Sequence, residues 1–454
     1  MNNIQKSGIE PVLNKDNEPC WLTTKYVDKT VDLENTTLEQ LAKDTEPIEK
    51  ILEFELKPQG LWQCKKCGGI IQNIEGKPFY CTECNRDANF DIVTKKINTD
   101  LWKLPKWKDI PNDEIDMQGL YSDLLDLSKR CIIFVEEILY KIFVLWIIST
   151  WKTGVWNTVC FPTFLGLINS GKSKCLDFIR ETGYRMLHCS GVTFPAMVRA
   201  SHFYQAGILI DEVQNKLNPR DEKGREYIDF IKPSYRKGSK YTVADKEDQE
   251  QLISYNNFGF KAFAGEKGFD AGLMDRTILF EMEQDYPDIT NFAEAQTDFN
   301  QIQTRLLNYR YKLNDPEPMK NGILRGRTKE IYECIISTGK NIGIKVDDVI
   351  EYAKGIEIEK QDDLIGTIEW EILESIKNKE CNETLDDAPE EIRYNDILES
   401  IGWENDRKHS QRLGYYVSKS LRLKTKRKNY GTVILLNDPK NNRKLKYLYR
   451  RFKV

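Results

Sequence analysis

Between Thr163 and Met282 short apolar runs alternate with stretches of helical spacing. Thr163–Gly166, Tyr184–His188, Gly207–Ile210, Lys261–Gly265 and Thr277–Met282 read as strands. Ser173–Thr182 reads as a helix closed by Gly183, and Thr193 can cap a second helix with Pro195 in its first turn. Strands alternating with helices predict an α/β core, a mostly parallel sheet with helices on both faces. Upstream, Leu120 to Ser149 carries the spacing of two helices, preceded by a connector holding Pro105, Trp107 and Pro111. Downstream, Thr290 to about Asn378 is helical with a break at Pro316 and Pro318. Residues 1–57 are polar, acidic and weakly periodic, and support no assignment.

The tail has its own pattern. Tyr394–Ile401 places Ile397, Leu398 and Ile401 on one helical face, and Ser410 can cap a second helix through Leu413, Val417 and Leu421. Leu423 to Leu436 then reads as two strands around a turn at Gly431. Helix, helix and hairpin suggest a winged helix-turn-helix.

Composition narrows the class. At 454 residues, 40% hydrophobic and 30% charged, the chain has the make-up of a soluble protein of several domains. Its longest apolar run, Ile142 to Ile148, is far below the ~20 residues that span a bilayer. No leader pattern opens the sequence, so a cytoplasmic protein without a membrane partner is expected. Eleven cysteines, seven of them single in apolar surroundings, fit reduced packed thiols rather than a disulfide framework. Three histidines argue against a histidine-rich metal site or a Ser-His triad. Charge is sharply split. Residues 407–454 hold sixteen Lys or Arg against Asp438 alone, a balance of +15 that leaves the rest of the chain at −19. One end is therefore suited to a polyanion.

The chemistry centres on Gly166-Leu-Ile-Asn169-Ser170-Gly171-Lys172-Ser173, which fits G-x-x-x-x-G-K-S at every fixed position. Such a loop turns successive N–H groups toward phosphate oxygens at a positive helix terminus. Lys172 is expected to reach the β- and γ-phosphates of ATP, and Ser173 to place its hydroxyl on Mg²⁺. Ala206 to Ile210 then runs apolar into Asp211 and Glu212, 39 residues after Lys172. Asp211 at a strand's carboxyl edge can hold Mg²⁺ through water, and Glu212 can polarise the attacking water. A third feature is Arg276, behind Met274-Asp275 at a strand entry. It can be a finger inserted into a neighbouring subunit's site, or a surface arginine paired with Asp275.

Thr163 to Met282 resembles the AAA+ ATPases, particularly the helicase-like ATPases of plasmids, phages and integrated elements near the superfamily 3 helicases. The resemblance rests on the Trp146–Trp151 lead-in, Phe164–Ser173, Ile208–Glu212, and Phe258–Gly265 followed by Leu273-Met-Asp-Arg276. It implies that Arg276 is the arginine finger and that Arg327, in Leu324-Arg-Gly-Arg327, is a lid arginine sensing the γ-phosphate. A solvated helix start is the other reading of Arg327. It also implies a ring-forming homo-oligomer, a hexamer. The family's polar sensor at the tip of the fourth core strand has no clean counterpart near Lys261–Gly265, Glu266 included.

Two further groups of residues carry chemistry. Cys64-x-x-Cys67 and Cys81-x-x-Cys84 lie thirteen residues apart, with Gly68 and Gly69 after the first pair. Two such pairs close a tetrahedron of thiolates and predict a structural Zn²⁺ in a zinc ribbon, a redox CxxC motif being the rival. In the tail, Arg412 and Lys419 fall on the second helix, and Lys424, Lys426, Arg427 and Lys428 on the wing. They are candidate phosphate contacts to single- or double-stranded DNA. A solvated cationic face, or a site for an acidic protein, is the alternative. Arg236, Lys237 and Lys240 are candidates for the lining of a central pore.

The expected order is an unassigned segment 1–57, zinc ribbon 58–92, connector and helix 93–130, AAA+ core 131–286, helical lid and linker 287–385, and winged helix 386–454. The expected function is an ATP-dependent DNA helicase or replication-initiation ATPase of a mobile element or virus. An origin-binding or loading switch without unwinding, or a DNA-binding regulator with vestigial ATPase activity, are the alternatives.

Overall fold

A computed structural model describes residues 9–16, 19–28, 50–57, 102–244, 252–320, 322–362, 366–381 and 390–454, with five two-residue strands between 62 and 94. The chain divides into two compact units, Met1–Ile350 and Glu351–Val454.

The first unit opens with an antiparallel sheet that the weak periodicity of residues 1–57 did not reveal. Its strands are β1 (Ile9–Leu13), β2 (Pro19–Asp28) and β3 (Lys50–Lys57), in the order β1-β2-β3. Leu13 continues this sheet into the connector, donating its N–H to Pro105 O and accepting from Trp107 N. Next come the short strands β4 (Trp62–Gln63), β5 (Ile71–Gln72), β6 (Tyr80–Cys81), β7 (Arg86–Asp87) and β8 (Val93–Thr94). β4 pairs with β8, and β5, β6 and β7 form a small antiparallel sheet. Of the four proposed zinc ligands, Cys64, Cys67 and Cys84 lie outside the described residues. For Cys81 the backbone alone is described.

Two helices then precede the core. In α1 (Met117–Cys131) the apolar residues 117, 120, 124, 127 and 131 are buried at helical spacing, and Asp116 caps it by accepting from Gly119 N at 2.8 Å. α2 (Glu137–Thr150) is buried along almost its whole length. A helix apolar all round belongs inside a fold, and here α2 covers one face of the main sheet.

That sheet contains β9 (Phe161–Gly166), β10 (Met186–His188), β11 (Gly207–Ile210), β14 (Lys261–Gly265) and β15 (Thr277–Met282). All pairings are parallel, in the order β10-β11-β14-β9-β15. The intervening helices are α3 (Lys172–Thr182), α4 (Phe194–Tyr204), α5 (Val213–Lys216), α6 (Glu222–Ile231) and α7 (Ala271–Met274). On one face Phe164 and Phe280 meet Phe143 of α2, which in turn meets Phe178 of α3 at 5.6 Å between ring centroids. On the other, Phe161 packs on Phe263 at 5.6 Å, and the Lys261 ammonium lies over the rings of Phe161 and of Phe230 from α6. Each fully buried phenylalanine contributes about 1.5–3 kcal/mol. The aromatic contacts therefore hold helices to both faces, as the strand–helix alternation requires.

One hairpin, β12 (Lys240–Ala244) with β13 (Leu252–Asn256), stands outside this sheet. After β15 the unit continues with α8 (Gln296–Lys312) and α9 (Gly326–Asn341), and α10 (Asp347–Asp362) spans the division between units. Among the described residues no helix is long and apolar enough to cross a membrane.

The second unit is built from α11 (Ile368–Cys381), β16 (Glu391–Arg393), α12 (Tyr394–Ser400), α13 (Arg407–Tyr415), β17 (Thr425–Lys428), β18 (Gly431–Leu435) and α14 (Pro439–Phe452). The strands form an antiparallel sheet in the order β16-β18-β17. Ile397, Leu398, Leu413, Val417, Leu421, Ile434, Leu445 and Leu448 meet in its core. The helix α13 begins one turn earlier than the Ser410 cap implies, because Asp406 caps it by accepting from His409 N at 2.7 Å. It ends in a π turn over Tyr416–Ser420, with Leu421 N–H donating to Tyr416 O.

Candidate nucleotide site

The loop between β9 and α3 starts at a residue that must be glycine. A Cβ on Gly166 would lie 2.3 Å from the Met282 carbonyl of the paired strand β15. Asn169 and Gly171 take left-handed conformations, φ 64° and 83°, and Gly171 caps α3. This curls the chain so that the helix N-terminus faces the loop's interior. The Lys172 ammonium donates to Leu167 O within the loop and to Ser170 Oγ at 3.3 Å. The lysine is thus folded over its own loop, where a phosphate chain can take the place of these two acceptors.

Ser173 and Asp211 meet. The Ser173 hydroxyl donates to Asp211 Oδ2 at 2.7 Å, and Asp211 Oδ1 accepts from Glu212 N–H at 2.8 Å. They come together although β11, which carries Asp211, is separated from β9 by β14. Between these two strands stands Gly265, the end of β14. A Cβ there would sit 2.6 Å from both Val213 Cγ2 and Gln214 Oε1, so glycine leaves room for these two α5 side chains at the strand tip. Glu212 is left-handed, φ 54°, which turns its side chain off the β11 line, and its Oε2 accepts from Asn215 Nδ2 at 3.2 Å.

Two polar residues here carry no sequence signal. Gln214 of α5 accepts from Glu266 N–H at 3.3 Å and so stands at the β14 tip, where no strand residue supplies a polar group. His188 ends β10 beside β11, with Nδ1 2.9 Å from Ser190 Oγ and a buried Nε2 that has no partner. Burial holds its imidazolium below the ordinary histidine range, while Asp177 and Asp211 pull the other way. Burial likewise raises the Asp177 carboxyl, with His188 opposing. A histidine at the end of a short strand is unremarkable until the sheet order sets it next to Asp211.

Beside the loop opens a cavity of about 460 Å³. Its walls include Cys131 and Ile133 from the end of α1 onward and Met282, Asp285, Tyr286 and Pro287 from the end of β15 onward, segments tied together by the Ile289 N–H to Arg130 O hydrogen bond. Tyr286 is 82% exposed at its rim. An apolar cleft continuous with a phosphate loop can take a nucleotide base.

Arg276 and Arg327 are not part of this arrangement. Arg276 lies at the entry of β15, its carbonyl accepting from Phe161 N at 3.2 Å, while Gly166 pairs with Met282 at the other end. Five residues of strand, roughly 17 Å, separate it from its own loop. Its guanidinium donates to Gly272 O and stacks on Tyr235 at 4.8 Å, and its Nε is buried without a partner. Arg327 stacks on the same ring at 4.8 Å and pairs with Asp275 at 3.3 Å and with Glu330. Glu330 is itself fixed by Arg236 at 2.7 Å and by Thr158 on its carbonyl. Arg327, expected as a lid arginine sensing the γ-phosphate, is held by these contacts beside Arg276. Arg236 and Lys237, candidates for a pore, are bound to the body of the unit at Glu330 and Gly154 O, which leaves Lys240 on the β12–β13 hairpin.

In the second unit Arg412 is exposed and lies over Trp403 at 4.6 Å, and Lys419 is exposed in the π turn. Lys426 and Arg427 are exposed on β17. Lys424 pairs with Asp438 at 3.0 Å, and Lys428 pairs with Glu391.

No protein-family model matches the sequence, and no curated protein matches it. Among solved structures, an active helicase described as SCCmec type IV Cch is 12% identical, with 75% of this chain and 71% of that chain covered and a TM-score of 0.31. Cdc6p from Pyrobaculum aerophilum is 10% identical, over 73% and 97%, with a TM-score of 0.22. Drosophila ORC bound to DNA is 12% identical, over 79% and 96%, with a TM-score of 0.21.

Proposed function

We propose that this chain is a P-loop ATPase that acts on DNA as a helicase or replication-initiation ATPase of a mobile element or virus. The observation that carries the ATPase reading is the Ser173 Oγ to Asp211 Oδ2 contact of 2.7 Å beside the Gly166–Ser173 loop. Two oxygen donors at one point, facing a lysine and a helix N-terminus, fit Mg²⁺ and a triphosphate.

In this reading Gly166, Asn169, Ser170 and Gly171 shape the cradle, and Lys172 leaves Leu167 O and Ser170 Oγ for the β- and γ-phosphates. Ser173 and Asp211 hold Mg²⁺, which when bound draws charge from the phosphate oxygens. Glu212 accepts the proton of the attacking water, with Asn215 steadying its carboxylate. Gln214 at the β14 tip is suited to orient that water or the γ-phosphate, the role for which no β14 residue qualifies. Arg276 serves the neighbouring subunit in a ring, taken to be a hexamer, and Arg327 reaches the same neighbour from beside it.

The second unit supports the nucleic-acid part of the reading. Helix, strand, two helices and a hairpin, α11-β16-α12-α13-β17-β18, follow the order of a winged helix, and the exposed Arg412, Lys419, Lys426 and Arg427 suit phosphate contacts. The paired Cys64/Cys67 and Cys81/Cys84 motifs support a structural Zn²⁺ upstream.

The test uses two variants. Lys172→Ala is expected to lose nucleotide affinity and turnover together. Glu212→Gln is expected to bind ATP and lose hydrolysis by about 10²-fold or more. Wild-type turnover in Glu212→Gln would move the general base elsewhere. ATP-dependent strand displacement on forked DNA separates the motor from a loading switch, which would hydrolyse ATP and displace nothing.

A further inference from the structure

The second unit has more basic surface than its wing uses. Of the wing cations, Lys424 and Lys428 are tied to Asp438 and Glu391. α14 is different. It buries Asn441, Leu445, Leu448 and Phe452, one helical stripe, in the core of the unit. The opposite stripe is Lys440, Arg443, Lys446, Tyr447 and Arg450, all exposed. Among the described residues no carboxylate pairs with Lys440, Arg443, Lys446 or Arg450. The helix has no acid between Pro439 and Phe452. Four unpaired cations on one rigid helix repel one another, an arrangement that a bound polyanion relieves.

The helix is also held firmly. Asp438 caps it through Lys440 N at 2.9 Å, and the buried Asn441 ties it to the hairpin by Nδ2 bonds to Lys424 O and Leu435 O and by accepting from Lys424 N. A groove of about 500 Å³ runs along its flank, lined by Ser420, Arg422, Lys444, Tyr447 and Arg451. The acid in it, Glu369, accepts from Ser420 Oγ at 2.7 Å. Tyr447, 52% exposed, stands between stripe and groove with the Lys444 ammonium 5.2 Å from its ring centroid.

We infer that the outer face of α14 is a single-stranded nucleic-acid track, distinct from the wing, with the backbone along Arg443, Lys446 and Arg450 and a base stacked on Tyr447. Cations tracking a backbone beside an open aromatic ring is the arrangement that single strands need and that a stacked duplex cannot use. This rests on the nucleic-acid reading of the second unit and adds a surface to it.

The experiment measures binding of the full chain to fluorescent oligo-dT, oligo-rU and a DNA duplex by anisotropy across a salt series. The variants are Arg443→Glu/Lys446→Glu/Arg450→Glu, Tyr447→Ala, Tyr447→Phe, and the wing pair Lys426→Glu/Arg427→Glu. All these side chains are exposed, and circular dichroism checks that each variant is folded. The triple variant is expected to lower oligo-dT affinity at least about tenfold and to flatten the salt slope by about 2, some 0.7 per lost contact. Tyr447→Ala is expected to weaken it by about fivefold to a hundredfold, with Tyr447→Phe close to wild type. The wing pair should reduce duplex binding and spare oligo-dT. Equal loss with oligo-rU assigns the track to single strands of either sugar, and loss with oligo-dT alone assigns it to DNA. Wild-type affinity and slope in the triple variant, or duplex binding without any oligo-dT binding by the wild type, overturns the track and leaves the winged helix standing. A wild-type chain that binds none of the three probes overturns the nucleic-acid reading itself.

Discussion

Arg276 and Arg327 share one aromatic ring: each guanidinium carbon lies 4.8 Å from the centroid of Tyr235. The two come from different elements, the entry of β15 and the start of α9, and Asp275 joins them by its 3.3 Å contact with Arg327. Both stand at the end of the sheet away from Gly166, and these contacts hold neither of them at the loop of its own chain.

The expected consequence is that the two arginines belong to one complementation group. Arg276→Ala and Arg327→Ala should each lose ATPase activity by about 10³-fold if they act as fingers. Mixing either with inactive Lys172→Ala should restore part of the turnover, because an intact loop can then sit beside an intact arginine pair. Mixing Arg276→Ala with Arg327→Ala should restore little, since every interface lacks one of the two. Steady-state hydrolysis across mixing ratios, in preparations shown to co-assemble, measures this. Absence of recovery with Lys172→Ala would count against action between subunits.

A second expectation concerns Lys261. Its ammonium is fully buried on β14, donating to Asn257 O at 3.0 Å and Gly259 O at 3.1 Å. Burial lowers its pKa from 10.5 to about 7, with Cys189 acting in the opposite direction. In the unfolded chain the lysine keeps its proton up to its ordinary pKa. Between about pH 7 and 10 the unfolded state therefore binds more protons, and this group makes the fold more stable as pH rises. Near pH 7 and below, the folded state carries the cost of a buried charge, of order several kcal/mol. Lys261→Met should raise Tm at neutral pH and flatten its rise from pH 7 to 9. An unchanged slope in thermal melts of the two proteins would show that the ammonium is solvated.

A third concerns the cysteine pairs. Purified chain is expected to hold about one Zn²⁺, lost when Cys64, Cys67, Cys81 and Cys84 are replaced by serine. Elemental analysis reads both numbers directly, and zinc retained by the serine variant would place the metal at other ligands.

The parts of this protein that can be read from its sequence are those whose cause is local. A glycine-rich loop, its lysine and its serine are contiguous, so Gly166–Ser173 is recognisable without the fold. Gly207–Ile210 and Lys261–Gly265 are strands buried throughout in the main sheet and Thr277–Met282 is buried at four of its six positions, and short apolar runs mark them. The +15 tail and its helix–helix–hairpin pattern are likewise local. The antiparallel strands β1–β3 and the hairpin β12–β13 lack such runs, and β12 and β13 mix exposed and half-buried positions without a fully buried residue, so burial leaves no apolar stretch to mark them as strands.

Tertiary structure alone decided which motifs meet. The sheet order inserts β14 between β9 and β11, and only then do Gly265, Gln214 and His188 acquire a place around Ser173 and Asp211. Arg327 could be read as a lid arginine sensing the γ-phosphate or as a solvated helix start. The Tyr235 ring, Asp275 and Glu330 set it beside Arg276, a placement that residue spacing does not encode because packing and ion pairing depend on distances. The composition of α14 was visible as charge. That its apolar stripe is buried, so that Arg443, Lys446, Tyr447 and Arg450 face outward together, followed only from the core it joins.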